Sequence, residues 1–381
     1  MSDIYDRLVS AVTTGDEIAA ISIQQRLTPL PLGGRVYPPT FGSGDYLIHK
    51  HVVDGESCEI VVLDQPASQA NRVESELEDA VAAGRITYPR TVIVDTVAGK
   101  PLRLSTLQLP HRFTDAYLQY SLVDGQPFDK SVLGKALRDT STDDLSPLFA
   151  QDPASILYGV WDSRRPGARI KIARSYVSEV YGVDPQQGHR FGTRMDPLNL
   201  QGGTKSRSEH GFEFDAGTNG SKSGKKSDDA RLSPLGLGNI PPSPAHGGVG
   251  IAEARRVANV TVAGMRRLRF GGRPGSGAAR VALVALAMFG DRLAFGGAAM
   301  WLRSGCELTV VQDTVALVSR GGGTEPVTLS ASNWAQVYER AIVDAAAGGV
   351  PLRSDVVELV PSAGLHAAFE YSVTKAAQGD E

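Results

Sequence analysis

The chain has little cysteine: Cys58 and Cys306 are its only two in 381 residues and lie far apart. That excludes a disulfide framework and a paired-cysteine zinc spacing, and both read as small core residues. Long apolar runs are also missing. The longest, Val281–Phe289, falls well short of the ~18 to 20 residues a membrane-spanning helix needs. The opening MSDIYDRLVS has neither the basic segment nor the apolar core of a signal peptide, so the expected location is cytoplasmic, with no membrane partner.

Catalytic signatures are absent as well. There is no G-x-S-x-G elbow and no H-E-x-x-H pair, and no spacing of carboxylates singles out an acid/base pair. GTNGSKSGKKS, Gly217 to Ser227, looks like a phosphate-binding loop, but Lys226 stands where Ser or Thr belongs and Asn219 where the first glycine belongs. A basic loop is the simpler reading. HKH at His49 to His51, with Cys58 close behind, is the one cluster of possible metal ligands. It lacks a fourth ligand, which favours two surface histidines and a core cysteine. No catalytic residue, no metal and no cofactor are expected.

At 41% hydrophobic, the chain can bury a substantial core. Residues Ile4 to Ser22 read as a helix, with Ile4, Leu8, Val12 and Ile18 as its apolar stripe. Irregular, proline-rich chain follows. Strands are expected at Glu59 to Leu63, Thr91 to Val97, Ile156 to Trp161, Arg169 to Tyr176, Val257 to Val262 and Glu307 to Val311. Helices are expected at Ser68 to Ala83, Ala278 to Phe289 and Asn333 to Ala347. This alternation over long, irregular distances fits an α+β core with large insertions. From 198 to 250 the chain turns rich in Gly, Ser, Pro and Lys, as a flexible insertion or functional loop would.

Charge is divided unevenly. Val160 to Arg280 holds 20 Lys and Arg against 10 Asp and Glu, within a chain of net charge −3. A localised basic block in an otherwise acidic chain points to a polyanion-binding surface, with a solvated lysine-rich loop as the plain alternative. Where the block acquires secondary structure it is more informative. Arg164 and Arg165 precede a turn, and Arg169 and Lys171 alternate with Ile170 and Ile172, which puts both cations on one strand face. Arg174 breaks the alternation. Arg190 and Arg194 flank Phe191, and Arg266, Arg267, Arg269 and Arg273 surround Phe270. Arginine beside an exposed aromatic suits single-stranded nucleic acid, with charge for the phosphate and a flat face for the base.

LDQPASQANRVESEL, Leu63 to Leu77, starts a helix whose buried stripe is Ala70, Val73, Leu77 and Ala80. Ser68 or Asn71 serves as its N-cap. That leaves Gln69 and Arg72 in surplus. Beside the free N–H groups of a helix start, such side chains make a phosphate or ribose cradle.

SQANR, the preceding PPTF region, the DSR and SEVYG stretch, RMDPL and the late AARVALVALAMFGDRLAFGGAAMWLRSGCEL together resemble the backbone subunit of type I CRISPR surveillance (Cascade) complexes, the Cas-seven family of the RAMP superfamily, in its subtype G branch (formerly U). The resemblance spans roughly Arg35 to Val311. It implies a single RRM-like, ferredoxin-like palm across residues 1–381, with insertions forming fingers and a thumb hairpin. Copies would polymerise head to tail along a CRISPR RNA without cutting it. Partners would be the target DNA strand, the large subunit and a Cas-five/six-type subunit. Ser68, Gln69, Asn71 and Arg72 would hold the guide backbone. Two other readings stay open: an RNA-processing ribonuclease on the same palm, with His49, His51 or His189 as general base, and a metabolic enzyme.

Overall fold

The computed structural model describes residues 2–15, 17–30, 33–42, 44–162, 170–190, 195–198, 204–208, 211–215, 237, 239 and 243–378. Its architecture is α+β, around an antiparallel eight-stranded sheet. The strands are β1 (Ile18–Pro29), β2 (Ile48–Val53), β3 (Glu56–Asp64), β4 (Tyr176–Val183), β5 (Glu253–Thr261), β6 (Ala299–Arg303), β7 (Cys306–Ser319) and β8 (Thr324–Pro326). Their order is β6-β7-β1-β5-β4-β3-β2, with β8 paired to β7. The helices used below are α1 (Ser2–Thr13), α2 (Pro66–Ala82), α3 (Ser276–Phe295) and α4 (Ala331–Ala347). α2 lies in the connection from β3 to β4, and α3 in that from β5 to β6.

Period-two burial explains the sheet. On β1, Ile21, Ile23, Gln25 and Leu27 are buried while Gln24, Arg26 and Thr28 are exposed, so one face meets the helices and the other faces outward. α3 is apolar nearly all round, and Val281 through Asp291 are all buried. A helix with no polar stripe belongs inside, and α3 packs against α1, α2 and α4. Gly290 permits the close approach of α2: a Cβ there would stand 2.5 Å from Val73 Cγ1.

Several boundaries differ from expectation. The first helix ends at Thr13, and Ile18 begins β1, where it is buried by sheet packing instead of a helical stripe. The chain around Ile156 is a short helix, Pro153–Leu157, followed by the strand Val160–Asp162. Proline at a helix start and Gly159 at φ +82° break what looks like one continuous strand. β7 runs on from Val311 to Ser319, because its exposed middle, Gln312 to Thr314, pairs with β1.

A second sheet combines four strands of the α2-to-β4 connection with one strand that follows α4. Its order is Gln126–Pro127, Ser121–Val123, Val356–Pro361, Arg90–Val97 and Lys100–Ser105, with Val356–Pro361 pairing in parallel with Arg90–Val97. Within the 198–250 segment, Thr204–Ser208 pairs with Gly211–Asp215. Ser243–Gly250 pairs with Gln186–Arg190, prolonging the β4–β5 hairpin. The rest of that segment, including Gly217 to Ser227, lies outside the described residues apart from 198, 237 and 239.

Candidate nucleic-acid interface

The SQANR helix start divides between two faces. Proline opens α2 at its first helical position and Gln65 is the N-cap, without a side-chain hydrogen bond. The cap therefore precedes both Ser68 and Asn71. Proline's fixed φ pre-forms the first turn, so no Ser or Asn cap is needed. Ser68 is half-buried, Asn71 exposed and Gln69 fully buried.

Gln69 spends its amide internally. Its Nε2 donates to Asp64 Oδ2 at 2.5 Å, while Oε1 accepts from Ser178 Oγ at 2.7 Å and from Arg256 Nε at 3.1 Å. Arg256, on β5, is itself fully buried. It donates to Gln25 Oε1, Tyr176 OH and Asp291 Oδ1, with its guanidinium 3.9 Å from the centre of the Phe295 ring. The Gln69 side chain, expected to hold guide backbone, thus presents no atom to a ligand. Arg72 donates from Nε to Asp64 at 2.8 Å and from Nη2 to the Leu302 carbonyl at 2.7 Å. It lines a groove with Met300 and Trp301, toward β6. The apparent surplus of polar groups is largely consumed in joining α2 to the sheet.

A different face of the α2 start opens on a groove of about 470 Å³. Its walls include Ala67, Pro110, His111, Trp161, Lys171 and Arg174. With Pro66 lacking an N–H, the Ala67 and Ser68 amides are the free donors of the first turn. Opposite stands a two-stranded ribbon, Val160–Asp162 paired with Ile170–Ile172, in which Trp161 and Lys171 are register partners. The Lys171 ammonium sits 5.6 Å from the centre of the Trp161 ring. Lys171 and Arg174 are exposed and make no ion pair among the described residues. Trp161 is 68% exposed.

The floor is rigid. Arg112 reaches Glu74 Oε2 at 2.9 Å and the Gly159 carbonyl at 2.9 Å, with its guanidinium over the Tyr158 ring. Burial pushes the Glu74 carboxyl up to about 7, against the opposing pull of Arg112. The chemistry offered is the helix start at Ala67, two exposed cations with no ion pair among the described residues, and an indole: an anion-binding groove with one stacking face. His111 and Trp161 carried no motif. Lone His and Trp residues become recognisable here only once the ribbon folds over α2.

The remaining candidates disperse. Arg164, Arg165, Arg169 and Arg194 lie outside the described residues, as does Phe191. Arg190 ends the strand Gln186–Arg190. Arg266 closes a short helix, Val262–Arg266, that begins beside Ser175 through the bond from the Thr261 N–H to the Ser175 carbonyl. Arg267 is exposed. Arg269 pairs with Asp143 at 2.6 Å, and Arg273 with Asp144 at 2.9 Å. Phe270, expected as an exposed partner for these arginines, is buried against Phe149. His49 and His51 are exposed on edge strand β2, with His51 opposite the half-buried Cys58. No cluster of three or more His, Cys, Asp or Glu among the described residues is placed to hold a metal. No helix among them is long and apolar enough to cross a membrane.

Residues 21–187 match a family model, "CRISPR-associated protein GSU0053". This is a CRISPR-associated family. The matched stretch contains α2, the ribbon and the residues named for the Trp161 groove. No curated protein matches the chain. Among solved structures, "Crystal structure of Thermofilum pendens Csc2" aligns at 11% identity over 95% of this chain and 77% of that one, with a TM-score of 0.24, a likeness too slight to carry an argument.

Proposed function

We propose that the chain is a CRISPR RNA-binding backbone subunit of a type I surveillance complex, of the Cas-seven kind and subtype G, that polymerises along the guide and does not cut it. The observation that carries this reading is the groove: a helix start facing an exposed indole and an exposed lysine and arginine that make no ion pair among the described residues, all inside the CRISPR-associated match. The strand order supports an RRM-like palm. β7-β1-β5-β4, with α2 and α3 in the crossovers, has the split-βαβ arrangement of ferredoxin-like folds. Its outward face is a poorer nucleic-acid platform than the groove, because Arg26 and Arg255 there are paired with Glu253 and Asp54.

In this role Ala67 and Ser68 N–H groups, Lys171 and Arg174 hold guide phosphates. Gln69 and Arg72 keep the helix start in place. Target DNA, neighbouring copies and the other Cascade subunits are the partners. The test is purification from cells that express a CRISPR array. Co-purified RNA of uniform length is expected, and Lys171→Gln and Arg174→Gln should each weaken RNA binding and lower its salt slope by about one unit. Protein free of RNA, with no affinity for added guide, would refute the reading. Cleavage of labelled RNA abolished by changing His49, His51 or His189 to Ala would replace it with the ribonuclease reading.

A further inference from the structure

The groove holds one residue whose exposure charge does not explain. Trp161 is two-thirds exposed although it lies on a strand beside a buried core, where Val160 and Ile170 of the same ribbon are buried. Period-two alternation accounts for its pointing outward with Lys171. It does not account for the type, since a solvent-facing ribbon position is ordinarily polar. Lys171 lies over the ring at 5.6 Å yet leaves most of the indole uncovered. Phe270 is buried and Tyr158 is enclosed beneath Arg112, while exposed Trp301 lies in a separate groove beside Arg72, whose guanidinium is committed to Asp64 and the Leu302 carbonyl.

Resting on the RNA-binding reading above, we infer that Trp161 is a stacking platform for a single unpaired base, fixing the groove's ligand as single-stranded nucleic acid whose phosphates are held by Lys171 and Arg174. An indole on the rim offers a flat face to any base, so the contact is sequence-tolerant. Lys171, over the same ring, adds cationic charge close to the adjoining phosphate. A base paired in a duplex has its faces covered by neighbours and cannot reach the ring. The platform therefore discriminates strandedness, not sequence.

The experiment uses the full chain and short single-stranded RNA oligomers, with the matching duplex as competitor. Trp161→Ala should weaken single-strand binding about tenfold or more and leave the salt slope unchanged, while Trp161→Phe retains most of the affinity. RNA carrying one abasic nucleotide, scanned along the oligomer, should lose affinity at one position with the parent protein and lose nothing further with Trp161→Ala, the non-additivity expected of direct contact. Trp334 is buried and Trp301 exposed, so in a Trp301→Phe background the RNA-dependent quenching of fluorescence reports Trp161. Parent protein that binds RNA while Trp161→Ala binds equally well overturns the platform and leaves the RNA-binding reading standing. Parent protein that binds no RNA removes both. Loss of self-association in Trp161→Ala with unchanged RNA affinity would make the indole a protein contact and also overturn the inference.

Discussion

At the scale of single residues, polar groups that look available in the sequence are often committed to holding the fold. Gln69 satisfies three buried partners, Asp64, Ser178 and Arg256. Gln69→Ala leaves those groups short of hydrogen bonds in a closed interior, so it should cost roughly 1–3 kcal/mol of stability, read as a lower urea midpoint. Lys171→Gln, at an exposed position, should leave that midpoint within about 0.5 kcal/mol of the parent. The Glu74–Arg112 pair makes a prediction about pH. Burial raises Glu74 from its ordinary 4.5 to about 7 in the folded chain, so its contribution to stability is full below 4.5 and is lost as pH rises through about 7. Arg112→Met removes the opposing attraction, and Glu74 then titrates higher still. The stability gap between variant and parent should widen from pH 6 to pH 8.5 in denaturant titrations. A gap independent of pH would show that Glu74 does not respond to its partner.

At the scale of elements, close packing sets what each helix can carry. The α2–α3 contact depends on Gly290, where any side chain meets Val73 and Leu77. Gly290→Val should destabilise by roughly 1–3 kcal/mol or more through overpacking, despite a helix propensity better than glycine's. Calorimetry would register a lowered Tm. The C-terminal helix, Ala363–Gln378, is held against the Arg90–Val97 strand by His366 Nδ1 and Asp95 Oδ2 at 2.9 Å, and by Glu370 Oε1 accepting from the Ala98 N–H. The Asp95 hydrogen bond raises the His366 pKa above 6.5. That contribution is complete below 6.5 and fades as pH rises through the raised value. NMR titration should find His366 above 6.5 in the parent and near it in Asp95→Asn, with amide exchange in this helix quickening at alkaline pH in the parent.

At the scale of the whole molecule, the basic block is divided among several places. Arg255 and Arg256 stabilise the sheet, Arg269 and Arg273 tie the chain before α3 to Asp143 and Asp144, and Lys171 and Arg174 are exposed without an ion pair among the described residues. A protein of this kind gains affinity by repetition along one polyanion, each copy adding its own phosphate contacts. Particle mass measured on guides of increasing length should therefore rise in equal steps, one copy per added interval of RNA. A single complex size at every length would rule out polymerisation along the guide.

The sequence by itself determined the α+β alternation, the buried α3 run and the stripe of α2, because these rest on local periodicity and apolar content. It also located the basic middle third and the start of α2 at Pro66 to within two residues. It could not say which cations stay free: Arg72 and Lys171 are equally polar letters, and only the approach of Asp64 and Leu302 to one and of Trp161 to the other separates them. The end of the first helix and the burial of Phe270 were hidden for the same reason. Each depends on a partner far away in the chain, β1 on β5 and β7 and Phe270 on Phe149, while the break at Gly159 is local, set by Pro153 and that glycine's positive φ. Tertiary contact decides whether a polar side chain is spent on the fold or left for a ligand, since a buried hydrogen-bonding group must find its partner inside while an exposed one need not.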